Sequence, residues 1–234
     1  EAQFRRGEIL FSAQRYVDAQ AAYEAASAFG PRSEFHEQSL YKLGWSLFKQ
    51  SENEASFDPF LRVLDLKLLA PGEPGGLADP ASLARADREL VQDTFRVLSI
   101  GFSYLDGQET LDRVVTARGE VPYAHLLYAE LGDLYVGKQR YTDAADTYRA
   151  FVRRSPDHER APLLQMQAIE AYRKGGFAQL VLDGKKEFVE RYRLGSPFWT
   201  NRNPAALPFV TKELKTNIKD LAAYHHSQAQ ASKQ

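Results

Sequence analysis

The sequence contains no cysteine and a single methionine, Met166, among its 234 residues. The lack of cysteine excludes a disulfide framework, a thiolate nucleophile and a zinc site built on sulfur. No apolar run approaches the roughly 18 residues that a membrane-spanning helix needs, so we expect no direct membrane span. Neither sign of charge dominates, because 30 basic residues face 31 acidic ones and the net charge is -1. That balance gives no general attraction to nucleic acid, and we expect no nucleic-acid partner.

β-Branched residues are also scarce. The chain has 30 Ala and 27 Leu against 12 Val and 4 Ile. Alanine and leucine favour helices, whereas valine and isoleucine favour strands. The composition therefore predicts an all-α protein. The chain begins at Glu1 rather than at a methionine, and we expect it to be a mature or excised segment.

Small and aromatic residues recur at fixed spacing between Tyr128 and Pro156. The order is Tyr128, Leu131, Gly132, Tyr135, Tyr141, Ala144, Tyr148, Phe151 and Pro156. This order resembles the tetratricopeptide repeat (TPR), whose pattern is W-x2-L-G-x2-Y, then A-x3-F, then P. Two antiparallel helices approach closely at the small residues of such a unit, and the aromatic rings fill the space between them. The stretch therefore resembles one TPR unit, with Tyr128 in the place of the tryptophan.

The same spacing appears twice in the N-terminal part of the chain. Gly7 and Gly44 are the corresponding glycines, 37 residues apart. The resemblance implies an all-α helical-repeat solenoid, a right-handed superhelix of antiparallel helix pairs forming one domain over 1–234. We expect a third, degenerate unit in which Gly101 and Tyr104 imitate the first helix. The predicted units are 1–33, 34–69, 82–120, 123–157 and 160–195, with a loop at 70–81 and a C-terminal capping helix at 207–226.

What the resemblance implies for function is a scaffold that binds a peptide or a partner protein in a concave groove. In this family the first helix of each pair usually lines that groove. We therefore expect it to be lined by Tyr41, Trp45, Phe48, Lys49, Phe11, Asp133, Tyr172 and Arg173. A polysaccharide is the alternative ligand, bound in polysaccharide export or cell-wall assembly by sugar rings stacking on the aromatic residues.

Trp45 has two interpretations at this point. Tyr41, Trp45 and Phe48 are spaced four and three residues apart, so they form one stripe of a helix that is apolar nearly all round. Such a stripe packs against the next unit, or it is exposed and anchors a partner. Phe198 and Trp199, in a proline-rich loop, are expected to fasten the last helix onto the fifth unit.

Motifs with chemical meaning are weak in this sequence. Gly132 to Lys138 nearly matches a phosphate-binding loop, but Gln139 replaces the Ser or Thr, and the segment continues an amphipathic helix. The five histidines have no spacing that suits a shared metal ion. We expect no catalytic residues, no metal and no cofactor, so the chain is predicted not to be an enzyme. An enzyme domain outside this segment remains a further alternative.

A second resemblance concerns the cellular compartment. The segments YKLGWSLFKQ, from Tyr41, and FVERYRLGSP, from Phe188, are similar to repeat domains of periplasmic proteins of Gram-negative bacteria. This similarity implies a periplasmic protein of a cell-envelope assembly. A cytoplasmic location is the alternative.

Overall fold

The computed structural model describes residues 1–69, 76–119 and 121–231. In these ranges the chain forms eleven α-helices and no β-strand, and Leu69 and Leu77 form an isolated antiparallel bridge. The protein is therefore all-α, as the composition predicts. The helices are α1 (Ala2–Ser12), α2 (Tyr16–Ser27), α3 (His36–Lys49), α4 (Asn53–Leu68), α5 (Arg85–Tyr104), α6 (Gln108–Arg118), α7 (Ala124–Gly137), α8 (Tyr141–Arg154), α9 (Ala161–Lys174), α10 (Ala178–Tyr192) and α11 (Pro208–Ala231).

The chain divides into two compact units, Glu1–Leu131 and Gly132–Gln234, with the boundary inside α7. In the first unit each helix from α1 to α5 packs against the next helix along the chain. In the second unit α8, α9 and α10 each do the same. Packing between successive helices is typical of repeat proteins, in which no single unit buries its apolar face alone. The chain is thus a helical repeat-like protein.

Helices α3 and α5, which are separated by α4, run in the same direction. Tyr41, near the start of α3, donates a hydrogen bond to Asp93 of α5. Phe48, near the end of α3, stacks on Tyr104 at the end of α5. Because the two contacts follow the same order along both helices, α3 and α5 are parallel. Parallel alternate helices are what stacked antiparallel pairs produce.

Three glycines bring the paired helices close together. A Cβ atom at Gly7, Gly44 or Gly132 would lie 2.6, 2.8 or 2.3 Å from the ring of the residue sixteen positions later. No side chain fits at such distances, so the helix backbone rests directly on the ring at each position. We call these residues the contact glycines. The rings above them are Tyr23, Phe60 and Tyr148.

The turn inside the helix pairs also repeats. Seven residues after each contact glycine, Gln14, Ser51 and Gln139 have left-handed φ angles of 59°, 64° and 59°. The next residue donates its N–H to the carbonyl five positions earlier, which is the bond of a Schellman turn. These bonds join Arg15 to Leu10, Glu52 to Leu47 and Arg140 to Tyr135, and in the fifth pair Phe177 to Tyr172. The sequence does not reveal this repeat, because Gln and Ser occupy the place where glycine is usual.

The repeated turn allows a matched pair of stability measurements. A left-handed φ costs a residue other than glycine roughly 1–2 kcal/mol. We expect Ser51→Gly to raise the free energy of unfolding by about 0.5–1 kcal/mol, since the larger entropy loss of glycine offsets part of that strain. Gly176→Ala, at a φ of 77°, is expected to lower it by a similar amount. Urea unfolding followed by circular dichroism measures both, and a destabilised Ser51→Gly variant would contradict this description of the turn.

The third helix pair differs in one contact from the repeat pattern. A Cβ at Gly101 of α5 would meet the ring of Phe57 in α4, at 2.8 Å, so this glycine serves the contact with the preceding helix. The second helix of the pair, α6, is short, as the sequence indicates, and it buries Leu111 and Val115. The third helix pair therefore differs from the others, because it has no contact glycine of its own.

The predicted loop at 70–81 lies partly outside the described residues, which resume at Gly76, and Pro80–Ser82 form a 3₁₀ turn.

In the second unit, Phe198 and Trp199 are buried among side chains of α10 and α11, which confirms that they fasten the last helix. That helix, α11, continues to Ala231, five residues beyond its predicted end at 226. Its last turns are exposed and contain alanine and glutamine, which are good helix formers.

Candidate functional site

The largest group of predicted groove residues lies on α3. Tyr41, Trp45 and Phe48 are each half-buried, and their rings form a continuous row. The ring centroids of Tyr41 and Trp45 are 6.3 Å apart, and those of Trp45 and Phe48 are 5.6 Å apart, both with edge-to-face geometry. The row continues onto α5, where the Tyr104 ring lies 6.1 Å from Phe48. We call these four residues the aromatic face.

Trp45 occupies a position with a defined structural role in the other pairs. The residue after the contact glycine is Glu8 in the first pair and Asp133 in the fourth. Each accepts a hydrogen bond from the tyrosine hydroxyl that sits over its glycine. In the second pair that ring is Phe60, which has no hydroxyl, and the Trp45 ring packs against it at 6.1 Å and 90°. One side of Trp45 therefore completes its own helix pair.

The rest of the Trp45 side chain is left partly exposed, and the aromatic rings it packs against belong to its own helix pair rather than to the next unit. Its packing partners are Phe60, Tyr41 and Phe48, within its own helix pair. Contact with the following pair comes instead from Phe48 and from the Tyr41 hydroxyl. An aromatic side chain that is held on one side and exposed on the other is preorganised for a partner.

Two residues of α5 belong to this site although the sequence did not indicate them. Asp93 accepts the hydrogen bond from Tyr41 and also forms an ion pair with Arg96. Tyr104 is 63% exposed, the most exposed aromatic ring on this face. Their positions depend on how α5 packs beside α3 after the turn that follows α4. The spacing of residues within one helix does not predict this packing. The spacing of Tyr104 three residues after Gly101 was the available signal.

The bond between Tyr41 and Asp93 has a consequence that titration can test. Burial of the phenol, together with its hydrogen bond to the Asp93 carboxylate, raises the pKa of Tyr41 to about 12. Asp93→Asn removes the negative charge and leaves the burial, so we expect the Tyr41 pKa to fall toward the ordinary value near 10 without reaching it. NMR of ring-labelled tyrosine measures this, with Tyr41→Phe to assign the signal. An unchanged pKa in Asp93→Asn would exclude the bond.

Two lysines of α3 lie close to aromatic rings. The Lys49 ammonium lies 5.8 Å from the centroid of the Trp45 ring and forms no ion pair with the described residues. The Lys42 ammonium lies 5.2 Å from the ring of Phe11 and 3.3 Å from the Glu8 carboxylate. Phe11, predicted from the first helix, is thereby linked to α3. Of the five predicted residues in the first unit, Tyr41, Trp45, Phe48 and Lys49 lie together on α3, and Phe11 contacts Lys42 of the same helix.

The remaining predicted residues lie in the second unit. Asp133 is exposed, but its carboxylate already accepts the hydroxyl of Tyr148 at 2.6 Å. Tyr172 is buried with 5% of its surface exposed, and its hydroxyl accepts a hydrogen bond from Arg149. Arg173 is exposed and pairs with Glu170 on its own helix. The sequence pattern placed these residues on the groove stripe, and the burial of Tyr172 leaves its ring little surface for a partner.

The described residues contain no group of three or more His, Asp or Glu side chains that could hold a metal ion. The segment that resembles a phosphate-binding loop is helical through Gly137, so its amides are used within α7. In the same part of the chain no helix is both long enough and apolar enough to cross a membrane.

No protein-family model matches this chain, and a search of curated proteins finds no significant relative.

Proposed function

We propose that the chain is a non-catalytic scaffold with a TPR-like superhelical fold, and that it binds a peptide or a partner protein along its groove. The repeated helix pairs, the contact glycines and the shared Schellman turn support the TPR-like assignment. The parallel course of α3 and α5 places the first helices of successive pairs side by side. A peptide that crosses such helices contacts several helix pairs at once.

The observation that carries the proposal is the aromatic face. Exposed clusters of aromatic side chains commonly mark protein interfaces, where Trp and Tyr supply much of the binding energy. Here Trp45 is fixed from below by Phe60, and Tyr41 is fixed by Asp93. Held side chains lose little entropy on binding, which favours a role as anchors.

A carbohydrate ligand is less well supported by the same geometry. A sugar ring stacks on an open aromatic face and needs free hydrogen-bond donors beside it. The Tyr41 hydroxyl is occupied by Asp93, so the Lys49 ammonium beside Trp45 is a single charged donor rather than the several donors that a sugar ring needs. An apolar surface with flanking charges suits a peptide better.

We further propose that the protein works in the periplasm, as part of a bacterial envelope assembly, with the cytoplasm as the alternative. The support for this compartment is the resemblance of the α3 and α10 segments to periplasmic repeat domains. Fractionation of the native host, with detection by antibody, tests it. Recovery of the protein only with cytoplasmic markers would reject the proposal.

The binding proposal is tested with peptides selected from a phage-displayed random library on the folded chain. We expect Trp45→Ala to weaken the selected peptides about 30-fold, corresponding to the roughly 2 kcal/mol that a central aromatic residue supplies. Fluorescence polarisation of labelled peptides measures the dissociation constants.

Phe29 provides the matched control, since it lies in the first unit but outside the aromatic face and is 70% exposed. Phe29→Ala should leave the peptide affinity unchanged. Selected peptides that bind Trp45→Ala and the wild type equally well would mean that the aromatic face is not the binding surface.

A further inference from the structure

A cavity lies beside the aromatic face, between α1, α3 and α5. Its volume is about 250 Å³. This is below the roughly 300–1,000 Å³ of typical small-molecule sites, and it suits a single side chain. The lining is partly apolar, from Phe4, Leu90 and Tyr41, and partly polar, from Glu8, Glu37 and Lys42.

The charges around this cavity do not balance. The Glu8 carboxylate lies 3.3 Å from the Lys42 ammonium, and the same oxygen accepts the Tyr23 hydroxyl. Glu37 shares the Lys67 ammonium, at 2.6 Å, with Asp87. The cavity lining itself has two carboxylates, those of Glu8 and Glu37, and one ammonium group, that of Lys42.

Each glutamate also retains an unused acceptor. One oxygen of Glu8 and one of Glu37 accept no hydrogen bond from the described residues. The Glu8 and Glu37 side chains keep 40% and 31% of their surface exposed. A cavity with excess negative charge and free carboxylate oxygens attracts a cation that can donate hydrogen bonds.

We propose that this cavity binds a basic side chain of the partner peptide, arginine in preference to lysine. The aliphatic part of an arginine packs against Phe4 and Leu90, while its guanidinium donates to Glu8 and Glu37. The ring of Tyr41 offers a surface on which the planar guanidinium stacks.

This proposal rests on the proposed function, because Tyr41 belongs to both the cavity and the aromatic face. The ring centroids of Tyr41 and Trp45 are 6.3 Å apart. An extended peptide advances about 3.3 Å per residue, and alternate residues point to the same side. The partner therefore carries a basic residue about two positions from the apolar residue that covers Trp45.

The direct test uses a defined probe, N-acetyl-arginine N-methylamide, and its neutral isostere with citrulline in place of arginine. Each is titrated into the isotopically labelled full chain, and backbone amide shifts are followed by NMR. We expect saturable shifts at Glu8, Gln38 and Lys42 with the arginine compound and none with the citrulline compound. Equal shifts with both, or none with either, would overturn the proposal.

Three variants show whether the glutamates are responsible. Glu8→Gln and Glu37→Gln keep the shape of each side chain, and each is expected to weaken the arginine compound about fivefold or more. Asp106→Asn is the control, because this aspartate is exposed in the turn after α5, away from the cavity lining. A loss in all three variants would indicate general electrostatic attraction and reject a specific site.

The same variants separate this inference from the proposed function. If selected peptides depend on Trp45 but bind Glu8→Gln and Glu37→Gln as they bind the wild type, the cavity proposal fails and the binding surface stands. If no peptide depends on Trp45, the proposed function fails, and the titration with the arginine compound still decides whether the cavity binds a cation.

Discussion

Gly132→Leu is expected to lower the free energy of unfolding of the second unit by about 3 kcal/mol or more. The first added carbon would lie 2.3 Å from Cε1 of Tyr148, and the ring of this tyrosine is buried with its hydroxyl held by Asp133. Overpacking commonly costs about 1–3 kcal/mol, and here the obstruction is a fixed ring beside a helix backbone. Urea unfolding followed by circular dichroism measures the loss.

Gly137→Ala, in the same helix, is the matched control. Apart from its own stretch of α7, no heavy atom lies within 4 Å of a Cβ built at Gly137. Replacing a helical glycine by alanine then stabilises by up to about 1 kcal/mol. In addition, Tyr148→Ala in a Gly132→Ala background should cost less than Tyr148→Ala alone, because the clash disappears with the ring. If Gly132→Leu unfolds at the same urea concentration as the wild type, α7 does not rest on Tyr148.

Trp199→Ala is expected to destabilise the second unit by about 3–5 kcal/mol, the usual range for removing a tryptophan from a core. The Trp199 ring is buried against Phe198, Tyr192 and α11, and its indole N–H donates to the Tyr192 carbonyl at 2.9 Å. The substitution leaves a cavity and an unpaired carbonyl. Chemical unfolding again measures the change.

The second tryptophan of the chain is the control for this prediction. Trp45 is half-buried and packs mainly on one side, against Phe60, so Trp45→Ala should cost less than about 2 kcal/mol. The two variants are therefore expected to lose different properties. Trp199→Ala mainly loses stability, and Trp45→Ala mainly loses peptide binding. A Trp199→Ala variant as stable as Trp45→Ala would show that α11 is not fastened through this ring.

The helix pairs could be predicted from the sequence because each depends on a contact between residues that are close along the chain. Gly7 with Tyr23 and Gly132 with Tyr148 are both sixteen residues apart, so the pattern itself encodes the contact. The same reasoning placed Gly101 in a repeat, but its contact is with Phe57 of the preceding helix. A glycine shows that helices approach closely without showing which helix approaches.

The aromatic face was predictable only on α3, where helical periodicity brings Tyr41, Trp45 and Phe48 together. Tyr104 and Asp93 join it through tertiary packing of α5, which has no local signature. Tyr172 is the opposite case, because the repeat pattern predicted it to line the groove and the packing of α9 buries it. The residue after each contact glycine was a useful signal. It is acidic where the ring over the glycine is a tyrosine, and it is Trp45 where that ring is Phe60.

A crystal structure of the chain with one selected peptide tests the central claim most directly. We expect the peptide to cross α1, α3 and α5, with an apolar side chain on Trp45 and with Tyr41 and Tyr104 in contact. A peptide bound elsewhere on the molecule, with the aromatic face left open, would contradict the account.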